Sequence, residues 1–126
     1  MNQITILFAS SYGAMAVMFG AFGAHALKKI LSDDLLKSFE TGIKYQMYHS
    51  ILLLVLYNQL DFLNSIDSYI VYCFIIGIFL FSFSIYGLVL SSAKGKKLKF
   101  LGPITPLGGL FLILGWSLLI FKATTL

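Results

Sequence analysis

Residues 4–27, 69–90 and 104–121 contain no aspartate, glutamate, lysine or arginine. Each run is close to the ~20 residues that carry a helix across about 30 Å of hydrocarbon. In hydrocarbon every backbone N–H and C=O must be satisfied within the protein, so only helices and closed barrels span a bilayer. Composition agrees: 59% of the 126 residues are hydrophobic and 11% charged, where a soluble domain carries about 25% charged residues. The length allows a single domain, residues 1–126.

A fourth block is less plain. Its purely apolar part, residues 51–57, is too short to cross. A span over residues 43–60 must recruit the polar stretch before it, which draws Gln46 and His49 to membrane depth. Between the first and second spans, residues 31–41 read as a separate short amphipathic helix lying in the interface. Ser32 is its expected N-cap, with Asp33 and Asp34 complementing the helix dipole. Leu35, Leu36 and Phe39 follow at helical spacing. The expected fold class is therefore all-α: an integral membrane four-helix bundle with one interfacial helix. The first apolar block has no basic segment before it and outruns a secretory h-region, so it is expected to be a retained span.

The formal charge is +4 and every basic residue is a lysine. Lys28, Lys29, Lys37 and Lys44 fall in or near the first loop, within residues 28–44, and Lys94, Lys96, Lys97 and Lys99 in the third. The second loop has Asp61 and Asp67 and no lysine. Lysine-rich loops stay in the cytoplasm, so loops 28–44 and 94–99 are expected inside and both termini outside. Lysines placed this way suit anionic lipid better than nucleic acid, and no nucleic-acid partner is expected. The lone Cys73, within an apolar run, reads as a small buried hydrophobe.

Helices in lipid associate where small residues let backbones approach. Ala9, Gly13, Ala16, Gly20, Gly23 and Ala24 share one face of the first helix and are expected to pack on a neighbour. Phe8, Tyr12, Met15, Phe19 and Phe22, opposite, are expected to face lipid or a looser neighbour. Pro103 and Pro106 punctuate the start of the fourth span. A residue before proline is pushed out of the α region, so Gly102 and Thr105 are expected to be non-helical or strained. The helix then starts near Pro106 with Thr105 as N-cap. The turn Thr105, Pro106, Gly108 and Gly109 is a candidate contact for a lipid phosphate, against an ordinary capped helix start.

Gly42, Tyr45, Gln46 and His49 share one face of the second helix, and His25 closes the first. His25, Tyr45, Gln46 and His49 form a candidate polar cluster that should face the bundle. It can be read as a haem or metal site, a proton relay, a head-group or quinone site, or simply a hydrogen-bonded cluster fixing helix register. Two histidines without a third ligand argue against metal, and no cofactor is expected. No carboxylate lies in the middle of a span, which disfavours a proton-coupled cation exporter. No phosphate-binding loop, HExxH or nucleophile–base–acid set is present, so an enzyme is not expected. Ser82, Ser84 and Tyr86 are expected to bond between helices, and Trp116 to anchor the outer interface.

Four runs in order add a resemblance: GAFGAH at 20–25, YQMYH at 45–49, LFSFSIY at 80–86, and ITPLGG at 104–109 followed by Gly115-Trp116. Together they resemble the YgdD/YwdK-like bacterial membrane proteins, domain of unknown function 423 or UPF0382. The resemblance implies a multi-pass protein of the bacterial plasma membrane with no established activity. Its motif positions fall here on Gly20, Gly23, His25, Tyr45, Gln46, His49, Ser82, Ser84, Tyr86, Thr105, Pro106, Gly108, Gly109 and Trp116. Phe83 stands where the family usually has glycine, which should block a close helix contact at that point. The functional expectation is a non-enzymatic protein that binds membrane lipid or another amphiphile, or assembles with itself or other membrane proteins. The alternatives are a subunit of an oligomeric transporter or channel, and a haem- or quinone-linked redox protein.

Overall fold

The computed structural model describes residues 1–125. Its architecture is four long helices: α1 (Asn2–Leu27), α2 (Asp33–Gln59), α3 (Ser65–Ala93) and α4 (Ile104–Thr124). Helices α1, α3 and α4 are long and apolar enough to cross a membrane. The polar stretch within α2 keeps it from meeting the same standard, though it has 27 residues.

The separate interfacial helix is not found. Residues 33–41 form the first turns of α2 itself, one unbroken helix of 27 residues. No proline interrupts the join, and Gly42, the one weak helix former there, is buried against Tyr86. Packing therefore outweighs the ~1 kcal/mol that a glycine costs a helix. Ser32 is the N-cap, its hydroxyl accepting from the Leu35 N–H at 3.3 Å. At ~1.5 Å per residue α2 is about 40 Å long, more than the hydrocarbon is thick. Its Lys37, Glu40 and Lys44 all lie in the first half.

The start of α4 also departs from expectation. A 3₁₀ turn, Lys99–Leu101, runs through a helical Gly102 (φ −54°, ψ −53°) into a helix beginning at Ile104. Pro103 is the N-cap residue, and Thr105 is the second helical residue. Pro106 fits as the third, because an N–H there has no intrahelical acceptor to lose. The first helical bond is Leu107 N–H to Pro103 O, at 3.4 Å.

Two helices carry a single π turn, Phe19–Gly23 in α1 and Phe79–Phe83 in α3. Helix α3 is the most enclosed element: Ile70, Val71 and Phe74 are fully buried. The main core joins them to Ala9 and Tyr12 of α1, Leu53 and Leu56 of α2, and Leu112 of α4. A second cluster, Leu31, Phe39, Tyr86 and Val89, closes the lysine-rich end.

Close crossings hold the helices. Ala9 and Ala16 are buried, and a Cβ on Gly13 would lie 2.9 Å from Ser50 Oγ. Gly20 and Gly23 abut Ile43 and Phe39, and Ala24 joins the second cluster, so the small stripe of α1 packs on α2. The opposite side of α1 does not simply face lipid. Tyr12 is 3% exposed, and Phe8, Met15 and Phe19 pack against the two clusters; Phe22, at 74%, is the one that points out. Of the two expectations for this side, a neighbour rather than lipid holds for all but Phe22, because α3 covers it. Helix α4 lies on α3 through Gly77, Gly108 and Gly115. Phe83 does not stand in that crossing: it packs among Tyr12, Phe19 and Tyr86. The outer face of α4 leaves Leu110, Ile113 and Ile120 exposed, an apolar surface suited to lipid.

Candidate functional site

The buried polar side chains form a chain of bonds between helices. Gln46 is fully buried. Its Nε2 donates to Tyr12 O at 2.8 Å, and its Oε1 accepts from Tyr86 Oη at 2.7 Å. Tyr12 Oη donates to Ile75 O at 2.9 Å. Ser50 Oγ donates to Ala9 O at 2.6 Å, and Ser82 Oγ to Gly42 O at 2.7 Å. Most of these acceptors are main-chain carbonyls, whose second lone pair stays free inside a helix. Ser84 and Thr105 share a hydroxyl bond of 2.5 Å that ties α3 to the start of α4. Among the described residues no buried side-chain nitrogen or oxygen lacks a partner.

His49 is bonded at both ring nitrogens. Nδ1 lies 2.7 Å from Tyr45 O, and Trp116 Nε1 donates to Nε2 at 3.2 Å. An indole N–H only donates, so Nε2 must accept and Nδ1 must carry the proton. Phe74 packs against both rings, at 5.7 Å from each.

The four residues of the candidate cluster do not converge. Gln46 and His49 are buried in the bundle. Tyr45 is 42% exposed, stacks on Phe81 at 4.9 Å and reaches His49 through its carbonyl. His25 lies exposed near the end of α1. The helix-start turn is likewise divided. Gly108 is buried, and a Cβ on it would sit 2.3 Å from Phe81 N. Gly109 has only an ordinary contact. Thr105 and Pro106 line a cleft instead.

That cleft, of about 390 Å³, opens at the lysine-rich end between α2, α3 and the start of α4. Leu35, Leu88 and Val89 give it an apolar floor; Ser38, Thr105 and Lys97 are polar groups along it. Its size falls in the ~300–1,000 Å³ range usual for small-molecule sites. Among the described residues no group of three His, Cys, Asp or Glu side chains is placed to hold a metal.

Two partners escaped the sequence reading. Trp116, expected only as an interface anchor, sits mid-helix and its indole N–H donates to His49. Its helical position, well before Lys122, was the available signal. At the other end of the bundle, Asp67 is fully buried and paired with Lys122 at 2.5 Å. Its second oxygen accepts from Phe62 N–H at 3.2 Å, holding Phe62 at φ 58° in the left-handed region. One acid and one lysine flanking apolar runs on the same side were legible, but their depth was not.

A family model described as "Protein of unknown function (DUF423)" matches residues 19–109. A UPF0382 membrane protein of Staphylococcus aureus is 39% identical over 94% of this chain and 93% of its own. The UPF0382 membrane protein YwdK of Bacillus subtilis is 35% identical over 96% of each chain. A UPF0382 membrane protein of Schizosaccharomyces pombe is 37% identical over 83% of this chain and 88% of its own, so the likeness is not confined to bacteria. No solved structure matches. The chain belongs to the UPF0382 family of membrane proteins, the DUF423 family.

Proposed function

We propose that this chain is a non-enzymatic, four-span protein of the plasma membrane that holds a lipid-like amphiphile at its cytoplasmic end. The single observation that carries the reading is the cleft between α2, α3 and α4. It combines an apolar floor of Leu35, Leu88 and Val89 with the hydroxyls of Ser38 and Thr105 and the Lys97 ammonium. That pairing suits a molecule with an apolar body and a polar or anionic head. The lysine loops set the proposed orientation, with both termini outside. Helix α2 serves as the fourth span because its polar groups are spent inside the bundle: Gln46 and Ser50 are bonded to α1, and His49 to Trp116. The same saturation moves the proposed contact away from Gln46 and His49. It also leaves a redox reading little to work with, since the Nε2 lone pair of His49 is occupied.

Native mass spectrometry of protein released gently from its own membrane tests this. A retained mass should be present and should fall several-fold in Ser38→Trp, which fills the cleft from an exposed position. Equal retention by a folded Ser38→Trp protein would refute the assignment.

A further inference from the structure

A second pair of hollows lies on a different side of α3. One, of about 310 Å³, is wholly apolar and runs between the end of α1, α2 and α3. Phe19 and Gly23, from the π turn of α1, line it with Phe39 and Tyr86. The other, of about 350 Å³, carries Lys94 and Lys96 beside Gly87 and Ser91. Leu90 lines both, so the two hollows adjoin there, the second forming an apolar mouth with Lys94 and Lys96 at its rim. Neither lysine is paired with a carboxylate: the ion pair among the described residues is Lys122 with Asp67.

The shape of the groove has a local cause. A π turn widens a helix by one residue and is frequently found at functional sites. Here Phe19 and Gly23, the first and last residues of the turn, both line the hollow. Gly23 keeps the wall low, with Phe39 Cζ 3.4 Å from where its Cβ would be. Gly95, at φ 75°, turns the chain just after α3, between the two lysines that line the mouth.

We infer that this groove is a specific site for a phospholipid with an anionic head group, one acyl chain lying along Phe19, Phe39 and Leu90 and the head group, whose net negative charge no choline cancels, meeting Lys94 and Lys96. Charge complementarity selects this occupant. Lys94 and Lys96, neither paired with a carboxylate, stand exposed at the rim of the mouth, and the apolar arm offers no polar atom to any other kind of ligand. A basic side chain near an anionic leaflet contributes roughly 1 kcal/mol, about fivefold in affinity. Two should therefore favour an anionic over a zwitterionic lipid by roughly tenfold or more.

The test uses the full chain in mild detergent, offered equal amounts of phosphatidylglycerol and phosphatidylcholine with identical acyl chains, with adducts counted by native mass spectrometry. Phosphatidylglycerol adducts should dominate. Lys94→Gln/Lys96→Gln should lower that preference roughly tenfold. Lys37→Gln/Lys44→Gln, which removes the same charge from positions lining neither hollow, should keep it. Ala26→Trp, at an exposed position lining the apolar arm, should reduce adducts of both lipids. Ser38→Trp acts on the other cleft and should leave the preference intact, which separates this result from the preceding one. Unchanged preference in Lys94→Gln/Lys96→Gln, equal loss in both double variants, or full retention in Ala26→Trp would each overturn the proposal.

Discussion

Gly108 and Gly109 are adjacent, chemically identical and in the same helix, yet alanine should affect them oppositely. A Cβ on Gly108 would lie 2.3 Å from Phe81 N, 2.7 Å from its Cα and 2.8 Å from Leu80 C. All three are backbone atoms of α3, so no rotamer change relieves the clash. Ordinary carbon contacts need ~3.5–4.0 Å, so α4 must withdraw from α3 by an ångström or more. That withdrawal loosens the neighbouring crossings, where Gly77 meets Leu112 and Gly115 meets Phe74. The cost belongs at or above the top of the ~1–3 kcal/mol range for overpacking. At Gly109 the nearest atom, Phe81 Cδ2, is 3.9 Å away. There alanine adds an ordinary contact and recovers up to ~1 kcal/mol of helix propensity. Reversible unfolding in mixed micelles of rising denaturing-detergent fraction gives both differences. The expected order of stability is Gly109→Ala at or above the native protein, with Gly108→Ala lower by about 3 kcal/mol. If the two variants fall within ~0.5 kcal/mol of each other, the tight crossing of α4 on α3 is wrong.

Three further outcomes follow from the bonding pattern. Gln46→Leu strands the Tyr86 hydroxyl and should cost ~1–3 kcal/mol, while a double-mutant cycle with Tyr86→Phe should return a coupling of ~0.5–2 kcal/mol; additive losses would contradict the bond. Lys122→Met leaves the buried Asp67 carboxylate without its cation, so it should destabilise more than Asp67→Asn, approaching ~3–5 kcal/mol less what the partial exposure of Lys122 screens. Adding Asp67→Asn to Lys122→Met should recover much of the loss, and a further loss would count against the pair. Trp116, the sole tryptophan, lies eight residues before the end of α4, about 12 Å along the axis. Lipids brominated deep in the acyl chain should quench it more than quenchers at the head group; the reverse order would restore the interfacial anchor.

Much of the fold was legible because lipid imposes length and polarity rules that act locally. The three apolar blocks became α1, α3 and α4 with ends shifted by a few residues. Ser32 could be read as a cap because capping is decided within one turn. The small stripe of α1 could be read as a contact face because its residue types leave few other uses. What failed depends on neighbours. The continuity of α2 rests on Tyr86 and Ile85 packing over Gly42, and those residues lie on another helix. The buried places of Tyr12 and Asp67 depend on α3 and on Lys122 in the same way. Within the candidate site, Gln46 and His49 could be found as polar residues at depth, but not their saturation by Tyr86 and Trp116. The clefts at the lysine-rich end are products of packing and left no periodic signature in the chain.

The side-chain bonds to foreign carbonyls bear on how the protein is made. Helices α1 and α2 meet through Ser50 and Gly13, and α3 and α4 through Gly108, as two antiparallel hairpins emerging one after the other. On the proposed four-span topology, when the first hairpin enters the bilayer Gln46 has Tyr12 but not Tyr86, and His49 lacks Trp116. These polar groups stay incompletely satisfied until the second half of the chain arrives. The nascent first hairpin is thus marked as incomplete in hydrocarbon, and the arrival of α3 and α4 removes the mark. Synthesis halted between Gln59 and Ser65 should leave a product that membrane quality control can recognise and clear.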